Sequence, residues 1–202
     1  MDDLQKLVGS VRSKLGTGSI NIFGLPFAGK DTHGRDLAKI LDGVLIGGGD
    51  IIRASNAEHV KAIIAKGTLA PKDEYLSMVV PYLSKEEFIG KPLLLSSVGR
   101  WHGEHEAIID AAIQSGHPIK AVIYLKIDEQ ESIRRWMLAD RGRHDDKELS
   151  ILKNRFTEFN QKTIPVIEHY RNMGLLCEID AMPTPQQVTI DLLHALDATM
   201  LV

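Results

Sequence analysis

The sequence predicts an α/β domain built on a five-stranded parallel sheet with helices on both faces. Five short apolar runs of strand length punctuate it: Ile20–Phe23, Val44–Ile46, Leu93–Leu95, Ala121–Leu125 and Leu175–Ile179. Longer stretches with helical apolar spacing separate these runs, as crossovers between parallel strands require. The 202 residues, 44% of them hydrophobic, suffice for one domain to bury a core without staples.

In chain order, Leu4, Leu7, Val8, Val11 and Leu15 recur at helical spacing, and Gly16-Thr17-Gly18 stops that first helix. Further helical patterns cover about 30–41, 51–66, 73–83, 103–115, 129–140, 147–172 and 186–196. In a sheet covered this way ligands bind beyond the carboxyl ends of the strands, so the segments that follow the strands carry the chemistry.

Composition excludes several classes. A net charge of -3, from 24 Lys+Arg against 27 Asp+Glu, argues against a general nucleic-acid binder. No apolar run approaches the ~20 residues that span a bilayer, so no membrane partner is expected. Met1-Asp2-Asp3 lacks the basic-then-apolar order of a signal peptide. Cys177 is the single cysteine; it rules out an intramolecular disulfide or a cysteine-built zinc site and fits a reducing, cytoplasmic setting.

The first strand runs into Gly24-Leu25-Pro26-Phe27-Ala28-Gly29-Lys30-Asp31-Thr32, and a helix follows. This is a G-x-x-x-x-G-K loop between strand and helix, the context a phosphate-binding P-loop requires. The backbone N–H groups of this loop, Pro26 aside, and the helix N-terminus offer partial positive charge to phosphate oxygens. Lys30 is expected at the outer phosphates, and the Thr32 hydroxyl at a magnesium ion. The fold class is therefore a P-loop NTPase three-layer sandwich.

The loop resembles the G-x-P-G-x-G-K-G-T of adenylate kinases and related nucleoside monophosphate kinases, and the resemblance continues in the family's order. Gly49-Asp50-Ile51-Ile52-Arg53 is similar to T-G-D-x-x-R, and Gly67-Thr68-Leu69-Ala70-Pro71 to G-x-L-V-P. Leu94 to Arg100 stands where the family has L-L-D-G-F-P-R. Arg141-Gly142-Arg143-His144-Asp145-Asp146 resembles the R-x-R-x-D-D of short-lid members, and Arg155 with Thr163-Ile164-Pro165 and Tyr170 the helix after the lid.

The resemblance implies a monomeric enzyme that moves the ATP γ-phosphoryl group reversibly to a nucleoside monophosphate, AMP foremost, with Mg2+. Residues 50–78 would form a small helical acceptor-binding insert and residues 141–146 a short lid. Arg53 and Arg100 would grip the acceptor phosphate, with Gly48, Asp50 and Leu69 beside them. Arg141, Arg143 and Arg155 would clamp the moving phosphoryl group with Lys30, and Arg135 would stack on the donor base. A planar guanidinium suits both tasks.

Several residues depart from the family pattern. Phe27 replaces a loop glycine, which implies negative φ or strain, with a ring set against a phosphate or shielding the site. Asp31 replaces another glycine and complements the helix dipole. Ser96 replaces the aspartate that orders magnesium, and Asp31 is a candidate to compensate. Glu104 replaces the glutamine that reads adenine. A carboxylate only accepts, so a GMP-preferring or relaxed enzyme is an alternative, and Gly48 points the same way. A catalytically weakened nucleotide sensor is a second alternative, from Phe27 and Ser96. His102 and His105, beside Glu104 and Glu106, match no zinc-protease spacing, and Gly103 marks a turn or helix start, so no metal role is assigned to them.

Overall fold

The computed structural model describes residues 3–139 and 148–200. In chain order its elements are α1 (Asp3–Leu15), β1 (Ser19–Gly24), α2 (Lys30–Leu41), β2 (Val44–Gly47), α3 (Gly48–Ala54), α4 (Glu58–Ile64) and α5 (Lys72–Leu83). There follow β3 (Leu93–Ser96), α6 (Glu104–Gln114), β4 (Ile119–Lys126), α7 (Glu129–Leu138), α8 (Leu149–Glu158), a π turn (Phe159–Thr163), α9 (Ile164–Asn172), β5 (Leu176–Asp180) and α10 (Pro185–Thr199).

The strands lie in the order β2-β3-β1-β4-β5, and every pairing is parallel. Successive strand side chains point to opposite faces, and both faces are covered. Phe23, Leu95 and Val122 pack on one face with Val79, Ile108, Val166 and Tyr170. Their neighbours Ile22, Leu94 and Ile123 pack on the other with Val11, Leu37, Leu192 and Leu196. Helices on both sides of one parallel sheet make the three-layer P-loop architecture. β1 is central, so its carboxyl end and that of β3 open at the middle of one rim. Among the described residues no helix is long and apolar enough to cross a membrane.

Two helical stretches differ from their periodicity. The pattern over 51–66 is two helices, α3 and α4. The Ser55 hydroxyl donates to the Ile52 carbonyl (2.7 Å) and accepts from the Ala57 amide (3.2 Å), a local turn that competes with helix continuation. The long pattern over 147–172 keeps its direction but widens into the π turn, where the Ile164 amide donates to the Phe159 carbonyl, five residues back. Pro165 supplies the reason, because it has no N–H and its ring crowds the preceding turn.

The segment between α4 and α5 rests on α8. Gly67 has φ +80, and a Cβ there would stand 2.6 Å from the Ile151 carbonyl oxygen and 3.1 Å from Arg155 Cγ. The Leu69 amide donates to Glu158 (3.2 Å), and the Asn154 amide group to the Lys66 carbonyl (3.3 Å). Gly90 has a similar φ of +79 with nothing within 4 Å of the corresponding point. Gly67→Ala is therefore expected to cost roughly 2–3 kcal/mol and Gly90→Ala about 1 kcal/mol, the difference being the contact with α8. Urea unfolding of both variants measures it.

Candidate active site

The phosphate loop is held in shape from outside. Gly24 lets the Leu125 carbonyl approach, since a Cβ would lie 2.8 Å from it. Gly29 turns into α2 with φ +98, and Phe27 takes φ +62, the strained alternative for this position. The Phe27 ring is buried in the apolar cluster that covers one sheet face, at the edge of the cleft that the loop lines. Ala28 is buried too. From α7 the Ser132 hydroxyl donates to the Pro26 carbonyl (2.6 Å), and Arg135 donates to the Phe27 carbonyl (3.5 Å). Lys30 Nζ donates to the carbonyls of Gly24 (2.8 Å) and Leu25 (2.7 Å), which aims the ammonium across the loop.

Arg135 and its neighbour Arg134 divide their roles. Arg135 also donates to Glu131 (2.7 Å) and to the Ala181 carbonyl (2.6 Å), and its side chain is 24% exposed against 59% for Arg134. Arg135 is thus the inward guanidinium, tied to the loop, α7 and the end of β5. The two arginines together pull the Glu131 carboxyl down to about 2.

Beyond β3 the chain turns through Ser97 (φ +55) and Gly99 (φ +73) to Arg100. Asn21 on β1 brackets this turn, donating to the Val98 carbonyl (2.6 Å) and accepting from its amide (3.3 Å). The Ser96 hydroxyl donates to Asp31 (3.1 Å) in the first turn of α2, so the two departures from the family pattern touch each other. Thr32 is half-buried in that same turn.

One cleft gathers most of the predicted residues. Gly24, Phe27, Gly29, Lys30, Asp31, Asp50, Arg53, Leu69, Arg100 and Arg155 all line it, with Ser96, Ser97, Glu158 and Phe159. Arg53 is oriented by an ion pair with Asp50 (2.6 Å). Burial, and to a lesser degree the nearby Arg155 cation, push the Arg100 guanidinium below its ordinary value. Arg141, Arg143 and the lid at 141–146 lie outside the described residues.

A smaller hollow continues from this cleft, lined by Gly49, Leu69, Tyr75, Arg100, Trp101 and Glu104. Glu104 is 3% exposed, and its Oε2 accepts from the amides of Arg100 (2.5 Å) and Trp101 (3.1 Å). Burial pushes this carboxyl up, and the two amides draw it back. Gly48 permits close approach: a Cβ there would stand 2.5 Å from the Tyr75 hydroxyl oxygen.

Sequence reasoning missed three participants. Tyr75 reads as one more apolar position of a helix, Glu158 as a surface charge, and Ser132 carries no signal before α7 is docked on the loop. The glycine beside Tyr75 is the nearest thing to a clue. Gly48→Ala is expected to destabilise by roughly 2 kcal/mol, and Tyr75→Phe in the same chain to recover at least about 1 kcal/mol of it. A double-mutant cycle by urea unfolding checks that coupling.

Comparison with known proteins agrees with this geometry. The family model described as adenylate kinase matches residues 22–175. The chain is 30% identical over 175 residues to an adenylate kinase of Prochlorococcus marinus (strain MIT 9303), covering 84% of this chain and 93% of that one. It is 28% identical over 178 residues to one of Thermus thermophilus, covering 84% and 92%. A third, from Caulobacter sp. (strain K31), is 28% identical over 175 residues, covering 83% and 92%. With a P-loop at the carboxyl end of the central strand and the family's arginines around one cleft, the chain belongs to the adenylate kinase family and is a nucleoside monophosphate kinase.

Proposed function

We propose that the enzyme transfers the ATP γ-phosphoryl group to AMP, with Mg2+, and that the small hollow beside Arg100 takes the acceptor base. The observation that carries this reading is the convergence of Lys30, Arg53, Arg100 and Arg155 on one cleft that runs into a hollow closed by Tyr75, Trp101 and Glu104. Helices α3 to α5 are the acceptor-binding insert on this reading. Lys30 and the loop amides hold the donor phosphates, and Arg53 and Arg100 hold the acceptor phosphate. Arg155 clamps the moving group, joined by Arg141 and Arg143. Arg135, fixed by its bonds to Glu131, Phe27 and Ala181, takes the donor base. Such transfer needs positioning and charge stabilisation and no covalent intermediate.

Glu104 favours adenine over guanine. The N1–H and N2–H2 edge of guanine needs two adjacent acceptor oxygens, and Oε2 is already accepting two backbone amides. Oε1 remains for one donor, which the adenine amino group supplies. The guanine reading loses its basis there, and the cations aligned on one cleft favour an active kinase over a sensor.

The oxygen donors of Asp31, Ser96 and Thr32 suit a hard cation. Asp31, Ser96 and Thr32 would hold magnesium at the phosphate loop, where its charge would offset the negative charge that develops during transfer. Asp31 supplies the negative charge that Ser96 lacks, and Ser96 fixes the carboxylate through its hydroxyl.

A coupled assay with AMP, GMP, CMP and UMP tests the acceptor: turnover is expected to favour AMP over GMP by at least about tenfold, and a GMP preference overturns the reading. Asp31→Asn is expected to raise the magnesium concentration for half-maximal rate by about tenfold, while tightening ATP binding measured without metal, because a negative charge beside the phosphates is removed. Unchanged magnesium dependence would remove Asp31 from the metal's surroundings.

A further inference from the structure

The turn that opens α6 gathers three donor groups outside the nucleotide cleft. His102 stands just before the helix, and His105 and Glu106 lie in its first turn. The turn at Gly103 (φ +82) brings His102 back beside the first turn of the helix. One ligand atom from each lies within 4.8 Å of the other two.

His105 carries the second observation. Its side chain is fully buried, and Nδ1 pairs with the Trp101 carbonyl at 3.0 Å. A neutral imidazole that donates there keeps its lone pair on Nε2. Nε2 is itself buried and has no hydrogen-bond partner among the described residues. A buried acceptor left without a donor is costly, and it is explained if something else takes the lone pair. A backbone carbonyl on the far nitrogen is also the arrangement that orients histidine toward a metal. His169 of α9 packs edge-on against the His105 ring, centroids 4.7 Å apart, and holds its plane.

We propose that His102, His105 and Glu106 bind one divalent cation of the zinc, cobalt and nickel class, with His105 Nε2 as the inner ligand. Two imidazoles and a carboxylate are the donor set such ions prefer, and a fourth position is left for water. Bonds of about 2.0–2.1 Å at tetrahedral angles need ligand atoms about 3.4 Å apart, so groups now within 4.8 Å of one another close by at most about 1.4 Å. His102 and Glu106 are exposed and free to swing by that much, whereas His105 is not and sets the position. Lys72 Nζ and Glu106 Oε2 both flank Gly103, 2.7 and 3.7 Å from where a Cβ would stand. The site rests on none of the nucleotide assignments. Its consequence for them is mechanical: a bound ion pins the turn that starts at Arg100.

Chelator-treated protein titrated with ZnCl2 by calorimetry is expected to bind one ion per chain. Co2+ in its place is expected to give the visible absorption of a four-coordinate site. His102→Ala and Glu106→Gln, both at exposed positions, should each weaken binding by at least about tenfold without lowering the melting temperature of the metal-free protein. His59→Ala, at an exposed histidine on α4, should leave binding unchanged. Absence of saturable binding overturns the proposal, as does binding that survives both the His102 and Glu106 substitutions or is lost with His59.

Discussion

The structure depends on holding residue 27 in a left-handed conformation that a phenylalanine resists. A glycine would adopt φ +62 freely; a side chain there costs of order 1–2 kcal/mol. The cost is offset by neighbours that leave the loop no alternative. The ring is buried in the core, the Ser132 hydroxyl holds the preceding carbonyl, and Arg135 holds the residue's own. Those two side chains lie on one face of α7, a turn apart. The phosphate loop is thus shaped by a helix about a hundred residues later in the chain, and the burial that anchors the ring is the burial that packs one face of the sheet.

Concentrated charge is the second constraint. Among the described residues four cations line one cleft, and Arg155 stands close enough to Arg100 to disfavour the charge on the buried Arg100 guanidinium. Acids at the margin keep this tolerable: Asp50 holds Arg53, Glu158 holds Lys162 and the Leu69 amide, and Asp31 faces Ser96. Each also fixes geometry. The pairing of Asp31 with Ser96 moves a negative charge from the end of a strand to the start of a helix while keeping it on the same cleft.

Much of this was legible in the residues. The parallel sheet followed from apolar runs and helical intervals because parallel strands buried on both faces leave that pattern. The phosphate loop was legible because its chemistry requires fixed residues at fixed spacing. Less visible was anything that depends on what docks where. Glu104 reads as a carboxylate with both oxygens free to accept from a base until its Oε2 is found on the Arg100 and Trp101 amides. Gly48 reads as a missing contact until Tyr75 is found above it. The break at Ser55 was within reach, since a serine-asparagine pair competes locally with helix, but the regular apolar spacing on either side hid it.

The π turn between α8 and α9 has a further meaning for how this chain tolerates change. An ordinary helix advances about 100° per residue, so one residue more or less in a single turn rotates everything after it by about that angle. Ile164 bonds five residues back, and the helix beyond it therefore sits one residue out of phase with the helix before. That phase is what turns Val166, Ile167 and Tyr170 toward the sheet while Leu152 and Phe156 keep their own contacts with the core. Regular bonding at unchanged length would swing that stripe by about 100° toward solvent, whereas deleting one residue from 159–163 would restore regular bonding and leave the stripe facing the sheet. The wide turn thus takes up one residue of length: a deletion there closes it into regular helix, whereas an insertion or deletion further along α9 would turn the rest of that helix off its bearing.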